Sequence, residues 1–121
     1  MPTFLTIGYG SREGYEATEP AVRDKAHAHD AWLASTGAVI GAVGTPTQVR
    51  NTEGAGVSTA KGAYLRADLP VAGFALLEAA TLEDAVARVA GTPCAVAHGV
   101  VEVWPLRNTL EQSESGTPTT A

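Results

Sequence analysis

The sequence predicts a single domain of the α+β class, and three stretches of its second half carry this prediction. Residues 74–79 alternate in the period-two pattern of a pleated strand. Residues 82–89 then place apolar side chains three, four and seven positions apart, which is typical of one helical face. Residues 100–104 form a second β-branched run that Pro105 ends. A strand, a helix and a strand in this order make half of a ferredoxin-like sandwich, an antiparallel sheet with two helices on one face.

The ends of the predicted helix are marked by capping residues. Thr81 precedes the apolar run and Asp84 follows three residues later, which is an acidic variant of the capping box. Arg88 lies in the last turn, where a cation is favourable, and Gly91 and Pro93 prevent the helix from continuing. The helix should therefore begin just after Thr81 and end before Gly91.

The first half of the chain should supply the matching strand, helix and strand. Pro20 suits the first position of a helix, and Gly37 suits its end. A strand should follow this helix and end at the turn formed by residues 44–46. In chain order the predicted elements are a strand at 4–9, a loop at 11–16, a helix at 20–35, a strand at 38–43, hairpin arms at 48–51 and 56–60, and an irregular crossing at 61–71.

A narrow stripe of the helix at 20–35 is predicted to face the core. Its members recur at helical spacing, and they are Val22, Ala26, His29 and Leu33. Trp32 flanks this stripe, whereas His27 and Asp30 are expected to point toward solvent.

Composition limits the class of protein. The chain has 121 residues, of which 45% are hydrophobic and 17% charged, values that suit one globular domain. We expect that domain to span residues 1–107, because residues 108–121 are small and polar and should be a disordered tail. The eight Lys and Arg residues are dispersed in a chain of net charge −5, which argues against a nucleic-acid partner.

The sequence also predicts a cytoplasmic protein that uses no cofactor or metal. The N-terminus lacks a basic segment followed by a long apolar run, so neither a signal peptide nor a membrane partner is expected. His27 and His29 are two residues apart and do not share a helical face, so they should not chelate one metal ion. Cys94 is the single cysteine and is expected to be a small buried hydrophobe; the alternative is a nucleophile beside His98.

Several segments resemble the YCII-related family in its DGPF branch. They are GFALLEAATLEDAVARVA, the pair Pro93 and Ala95, GVVEVWPL at 99–106, and upstream TGAVIGAVGTPTQVRNTEGAGVSTAKGAYLRADLPVAGF. The resemblance covers roughly residues 3–106. It implies a dimeric α+β barrel that is cytoplasmic and has a small pocket between sheet and helices. Few members of the family have an established activity, so the resemblance speaks to fold more than to function.

Two residues are candidates for catalysis. His29, on the inward stripe, could act as a general base or hydrogen-bonding group in the pocket, or be a core histidine bonded to a backbone carbonyl. The family's histidine aligns nearer Ala26 or His27 than His29. Lys61 stands where the branch has the aspartate of its Asp-Gly-Pro-Phe segment, so acid–base chemistry using that aspartate is not expected. Lys61 could instead bind a carboxylate or enolate oxygen as a point charge, act as a low-pKa amine if it is desolvated, or be a solvated loop lysine.

Aromatic residues are the candidates for binding a ligand, and they are Tyr9, Trp32, Tyr64, Phe74 and Trp104. Trp104 stands where the branch usually has an arginine, which favours a more apolar ligand; the alternative is packing in a dimer interface. Glu102 is an unusual carboxylate for a strand, expected to pair with Arg107 or an edge residue.

These observations favour a small cofactor-free enzyme, an isomerase, lyase or cyclase, that acts on a small organic metabolite. The alternative is a non-catalytic ligand-binding or regulatory dimer, such as one associated with a sigma factor. In either case a homodimer is expected. Helices on one face leave the other face of the sheet apolar, and a second subunit would cover it.

Overall fold

The structure, a computed structural model, describes residues 1–107. The predicted tail at residues 108–121 lies outside them. The strands are β1 (Thr3–Tyr9), β2 (Val39–Ala42), β3 (Thr47–Arg50), β4 (Ser58–Lys61), β5 (Val71–Glu78) and β6 (Val100–Pro105). The helices are α1 (Arg12–Ala17), α2 (Pro20–Ser35), α3 (Leu82–Val89) and α4 (Pro93–Val96), and a 3-10 turn covers Thr52–Gly54.

Four strands form one antiparallel sheet in the order β2-β5-β1-β6, which confirms the predicted α+β class and the antiparallel sheet. Ile7 in β1 lies opposite Phe74 in β5 and Glu102 in β6, and all three side chains therefore share one face. Within residues 1–107, strands β3 and β4 pair only with each other and make a separate two-stranded sheet. The predicted hairpin is confirmed in this second sheet.

The core lies between the four-stranded sheet and the helices. It combines Phe4 of β1, Ala75 and Leu77 of β5, Leu33 of α2, and Ala85 and Val89 of α3. Leu33 is fully buried, and burial of such a side chain stabilises the fold by roughly 1.5–3 kcal/mol. Because α2 and α3 contribute to the same cluster, both helices cover one face of the sheet. We call the opposite side the open face.

The open face is largely apolar and exposed to solvent. Its exposed large apolar side chains come from three strands, and they include Val39, Leu76, Val100 and Trp104. The large Trp104 residue is 53% exposed to solvent. This face therefore presents a contiguous apolar surface of the kind that soluble monomers seldom expose.

The caps of α3 are those that the sequence predicted. The Asp84 amide donates to the Thr81 hydroxyl oxygen over 3.1 Å, and the Ala80 amide donates to the Asp84 carboxylate over 3.4 Å. The two side chains thus satisfy backbone donors at the start of the helix, as a capping box does. Arg88 lies in the last turn.

The prediction of a loop at residues 11–16 is wrong, because the segment contains α1. Ser11 caps this helix by accepting a hydrogen bond from the Gly14 amide over 3.0 Å. The Thr18 hydroxyl donates to the Gly14 carbonyl over 2.8 Å and closes the other end. Gly14 lowers the intrinsic helix propensity, but these local hydrogen bonds outweigh its cost.

On α2 the predicted inward stripe is confirmed at two positions and wrong at one, and one residue predicted to point toward solvent faces inward. Ala26 and Leu33 are buried, but Val22 is 41% exposed. Asp30, predicted to point toward solvent, is half-buried and faces inward. Since α2 packs against α4, the buried side of the helix is rotated toward Asp30 and away from Val22. None of the helices in residues 1–107 is both long and apolar enough to cross a lipid bilayer.

Candidate functional site

A cleft of about 290 Å³ lies between the helix-covered face of the sheet, α2 and α4. Most of its walls are aliphatic side chains and strand backbone. Representative wall residues are Leu33, Ile40, Ala75, Val89 and Val101. The polar side chains at its surface are those of Thr6, Asp30, Thr92 and Cys94. The cleft therefore combines an apolar interior with a few polar groups, which is the usual composition of a small-molecule site.

Cys94 reaches the cleft because a glycine lies beneath it. A side-chain Cβ at Gly8 would lie 2.7 Å from the Cys94 Sγ, closer than real carbon atoms approach sulfur. The bare backbone of β1 at Gly8 thus makes room for α4 to pack directly on the sheet. Burial raises the pKa of the Cys94 thiol, and the nearby Asp30 charge raises it further. The thiol is therefore kept protonated, which disfavours the nucleophile alternative.

Among the residues that the structure describes, Asp30 is the charged side chain that lines the cleft. Burial raises the pKa of its carboxyl, while His27 and His29 on the same helix lower that pKa by a smaller amount. Among residues 1–107 this carboxyl has no hydrogen-bond or ion-pair partner. It is thus available to a ligand in the cleft.

The two threonine hydroxyls of the cleft already donate to backbone carbonyls. Thr6 donates to the Ala75 carbonyl over 3.3 Å, and Thr92 donates to the Val89 carbonyl over 2.7 Å. Their protons are committed to the fold, although their oxygens can still accept a hydrogen bond.

The structure places His29 beside the cleft and joins it to the backbone. Its Nε2–H donates to the Arg88 carbonyl over 2.6 Å, and its ring lies 5.3 Å from the Trp32 ring. Gly91 packs against the imidazole, where a side-chain Cβ would come within 3.1 Å of the ring. This arrangement links α2 to the end of α3, which is the geometry of the core-histidine alternative.

Lys61 and Tyr64 lie apart from the cleft. Lys61 ends β4 in the two-stranded sheet and is exposed, and Tyr64 is 78% exposed. The Arg50 guanidinium carbon lies 5.7 Å from the centre of the Tyr64 ring. No hydrogen bond in the described part of the chain joins Lys61 to His29.

The remaining aromatic candidates lie in two places. Trp32 lines a separate groove, whereas Tyr9, Phe74 and Trp104 share the open face of the sheet, and Phe74 also borders the cleft. The structure thus brings His29 and Trp32 together and brings Tyr9 and Trp104 together. It does not gather the predicted site residues into one pocket.

Tyr9 and Trp104 meet at a carboxylate. The Tyr9 hydroxyl donates to Glu102 Oε1 over 2.6 Å, and the Trp104 Nε1–H donates to the same oxygen over 3.4 Å. The hydrogen bond to Glu102 raises the pKa of Tyr9, with desolvation and the carboxylate charge adding to the effect. Within residues 1–107, Glu102 therefore pairs with a residue of the neighbouring strand rather than with Arg107.

Sequence reasoning missed Asp30 as a member of the site. Asp30 follows Ala26 by four residues and precedes Leu33 by three, so the spacing alone put it within the inward stripe. Its charge favoured solvent, but its helical position decided where it lies. Within residues 1–107, no group of three or more His, Cys, Asp or Glu side chains is arranged to hold a metal ion.

Comparison of this chain with protein-family models gives no match, and comparison with curated proteins gives none either.

Proposed function

We propose that this protein is a cytoplasmic, homodimeric member of the YCII-related family that binds a small organic metabolite in the cleft. We further propose that it acts on this metabolite as a cofactor-free isomerase, lyase or cyclase. The observation that carries the proposal is the Asp30 carboxyl, an ionisable group that no residue in 1–107 engages, at the surface of an otherwise apolar cleft. Burial raises the pKa of this carboxyl, which moves it toward the range in which general acids and bases work best.

The strand order supports the finer assignment of a ferredoxin-like fold. The β2-β5-β1-β6 sheet places the first and third of its strands, in chain order, side by side at the centre. Each half of the chain contributes a strand, a helix and a strand, which is the split arrangement of this fold. The two-stranded sheet is then an insertion between the halves.

The open face supports the proposed dimer. Leu76, Val100 and Trp104 remain exposed there, although each lies on a strand of the main sheet. A second copy that packs its own open face against this one would cover these side chains and complete the proposed barrel. A stable contact of this kind buries on the order of 1,600 Å² in total.

One carboxylate is sufficient for isomerisation chemistry. Asp30 as its carboxylate can accept a proton from one position of a bound substrate and return the same proton to another position. The reaction then needs no second ionisable group and no redox change. His29 would act as a positioning residue, because its bond to the Arg88 carbonyl fixes the turn of α2 that carries Asp30. The prediction that Lys61 takes part in chemistry remains open, and the cleft residues supply no support for it.

The second candidate function is a non-catalytic ligand-binding or regulatory dimer. The observation that favours it is that, of the described residues, Asp30 is the one charged side chain lining the cleft. Without an acid–base pair, a reaction that needs separate proton donors and acceptors is disfavoured in this cleft. Binding without turnover would then be the role of the site.

Alkylation of Cys94 reports on occupancy of the cleft, because this is the only cysteine of the chain and it lines the cleft. Small organic metabolites would be screened for their ability to slow its reaction with iodoacetamide, followed by intact mass. Each protecting compound would then be incubated with wild type, Asp30→Asn and Asp24→Asn, and its chemical conversion followed by NMR. Asp24 is the matched control, since it is exposed on the same helix.

The enzyme proposal predicts conversion by wild type and Asp24→Asn and a loss of about a hundredfold or more in Asp30→Asn, the range typical for a general acid or base. Protection without conversion would favour the non-catalytic candidate. Equal conversion by Asp30→Asn would remove Asp30 from the mechanism. If no compound protects Cys94, the cleft is not a ligand site.

A further inference from the structure

The side chains of the cleft offer a ligand more hydrogen-bond acceptors than donors. Asp30 offers a carboxyl that no described residue engages. The Thr6 and Thr92 hydroxyl protons are committed to the Ala75 and Val89 carbonyls, so these side chains can offer only their oxygens. What the cleft side chains present to a ligand is therefore chiefly acceptor oxygen.

Among residues 1–107, no lysine, arginine or histidine side chain lines the cleft. The charged side chain there, Asp30, is negative when ionised, and the thiol, Cys94, is a weak donor. A bound anion would meet no cation among the lining side chains and would lie near a like charge in a partly desolvated site. The two imidazoles near Asp30 stand outside the lining, and each already has a partner: His29 Nε2 bonds the Arg88 carbonyl, and His27 Nε2 bonds the Tyr15 hydroxyl. Such an arrangement disfavours binding strongly.

The size and walls of the cleft limit the rest of the ligand. A volume of about 290 Å³ equals that of about ten water molecules. Leu33, Ile40, Val89 and Val101 give it aliphatic walls. A compact ring or short branched chain would fill this space and displace water from apolar surface.

We infer that the cleft accepts a small ligand with an apolar body that presents a hydrogen-bond donor, a hydroxyl or a protonated amine, to Asp30, and that it rejects carboxylates and phosphates. This inference rests on the proposed function, because it specifies the substrate class of the same cleft. It differs from the class that Lys61 would select, since a lysine in the pocket would favour an anionic oxygen. Lys61 does not line the cleft, so its charge does not offset that of Asp30.

The inference is tested with three probes that are similar in size and each contain one ring: benzyl alcohol, benzylamine and benzoate. The measurement is the rate at which iodoacetamide, an uncharged reagent, alkylates Cys94 at neutral pH as each probe is added. Backbone amide NMR shifts for residues 26–33 and 93–97 would show where each probe binds. Wild type should be protected by benzyl alcohol and benzylamine at concentrations about tenfold or more below those needed for benzoate.

Asp30→Asn should abolish this charge preference. Benzylamine should lose about tenfold in affinity or more, benzoate should gain, and benzyl alcohol should change least, because Asn still offers a carbonyl acceptor. Asp24→Asn should behave as wild type. The wild-type comparison needs no variant, so the test stands even if Asp30→Asn does not fold.

Failure of the inference and failure of the proposed function give different results. If benzoate protects wild-type Cys94 as well as benzylamine does, the cleft is a ligand site but the inferred ligand class is wrong. An unchanged charge preference in Asp30→Asn would likewise overturn the role given to Asp30. If none of the three probes slows alkylation or shifts those amides at millimolar concentration, the proposed function fails together with the inference.

Discussion

Gly8→Ala tests whether the packing of α4 on the sheet sets the shape of the cleft. The new Cβ would lie 2.7 Å from the Cys94 Sγ and 3.1 Å from its Cβ, whereas non-bonded carbon atoms prefer about 3.5–4.0 Å. Relief of this contact must move Cys94 or α4, and such overpacking costs about 1–3 kcal/mol. The loss of chain entropy in the unfolded state returns about 0.4–1 kcal/mol. The expected net loss in the free energy of unfolding therefore lies between about 0 and 2.6 kcal/mol, with a central value of about 1.3 kcal/mol.

A double-mutant cycle assigns this loss to the sulfur. Cys94→Ala removes the sulfur, which is the atom nearest to the new Cβ. The free energy of unfolding lost in the double variant should therefore be smaller, by about 1 kcal/mol, than the sum of the losses in the two single variants. The free energies of unfolding are measured by urea denaturation of wild type, both single variants and the double variant. All four are used at the same protein concentration, because association would otherwise change the apparent stability. Gly44→Ala is the matched control, because its Cβ would meet no atom within 4 Å. Additive effects of the two substitutions would refute the proposed contact.

The site and the open face lead to three further predictions. Asp30→Asn should lower the pKa of Cys94, because the Asp30 charge raises it; the pH dependence of iodoacetamide alkylation measures this, and an unchanged profile would contradict it. Leu76→Lys should place a charge on the open face and convert the proposed homodimer to a monomer in sedimentation, whereas a monomeric wild type at micromolar concentration would refute the dimer itself. Tyr9→Phe should remove a pH-dependent part of the stability. The Tyr9 pKa is raised above its ordinary 10.0, so the contribution is present below pH 10.0 and is lost as the pH rises through the raised pKa. Wild type and Tyr9→Phe should therefore converge in stability at alkaline pH, and a constant difference would show that Glu102 does not control this titration.

The elements that the sequence predicted well are those whose signals are local. Thr81 and Asp84 cap α3 through neighbouring amides, and Pro20 begins α2 as expected. Helix α1 was missed because it is short and contains Gly14, so its propensity is low while its stabilising hydrogen bonds are visible only in three dimensions. Local chemistry therefore located most of the strands and helices, and failed at α1, where the Ser11 cap is a local signal but the helix is too short to show an apolar stripe.

The candidate site was harder to predict because its members come from distant parts of the chain. Asp30 and Cys94 meet only once α2 and α4 have packed on the sheet, and Gly8 allows that approach. The prediction for Lys61 rests on resemblance to a family segment, but within residues 1–107 the two-stranded sheet that carries Lys61 shares no strand pairing with the main sheet. Residue type is also misleading at Asp30, since its charge predicts exposure to solvent whereas its helical position faces inward.

The central position of β1 has a consequence for how the chain folds during synthesis. Of the strands described, β1 is synthesised first, yet its two neighbours, β5 and β6, begin at Val71 and Val100. Neither ladder of β1 can form until most of the chain has been made, and contacts between such distant segments slow folding. Until then Phe4, Leu5 and Ile7 remain on an unpaired strand that can associate with other chains. A nascent chain that stops before β6 exposes one edge of β1, and among the described strands it is the last to be synthesised, β6, that covers this edge.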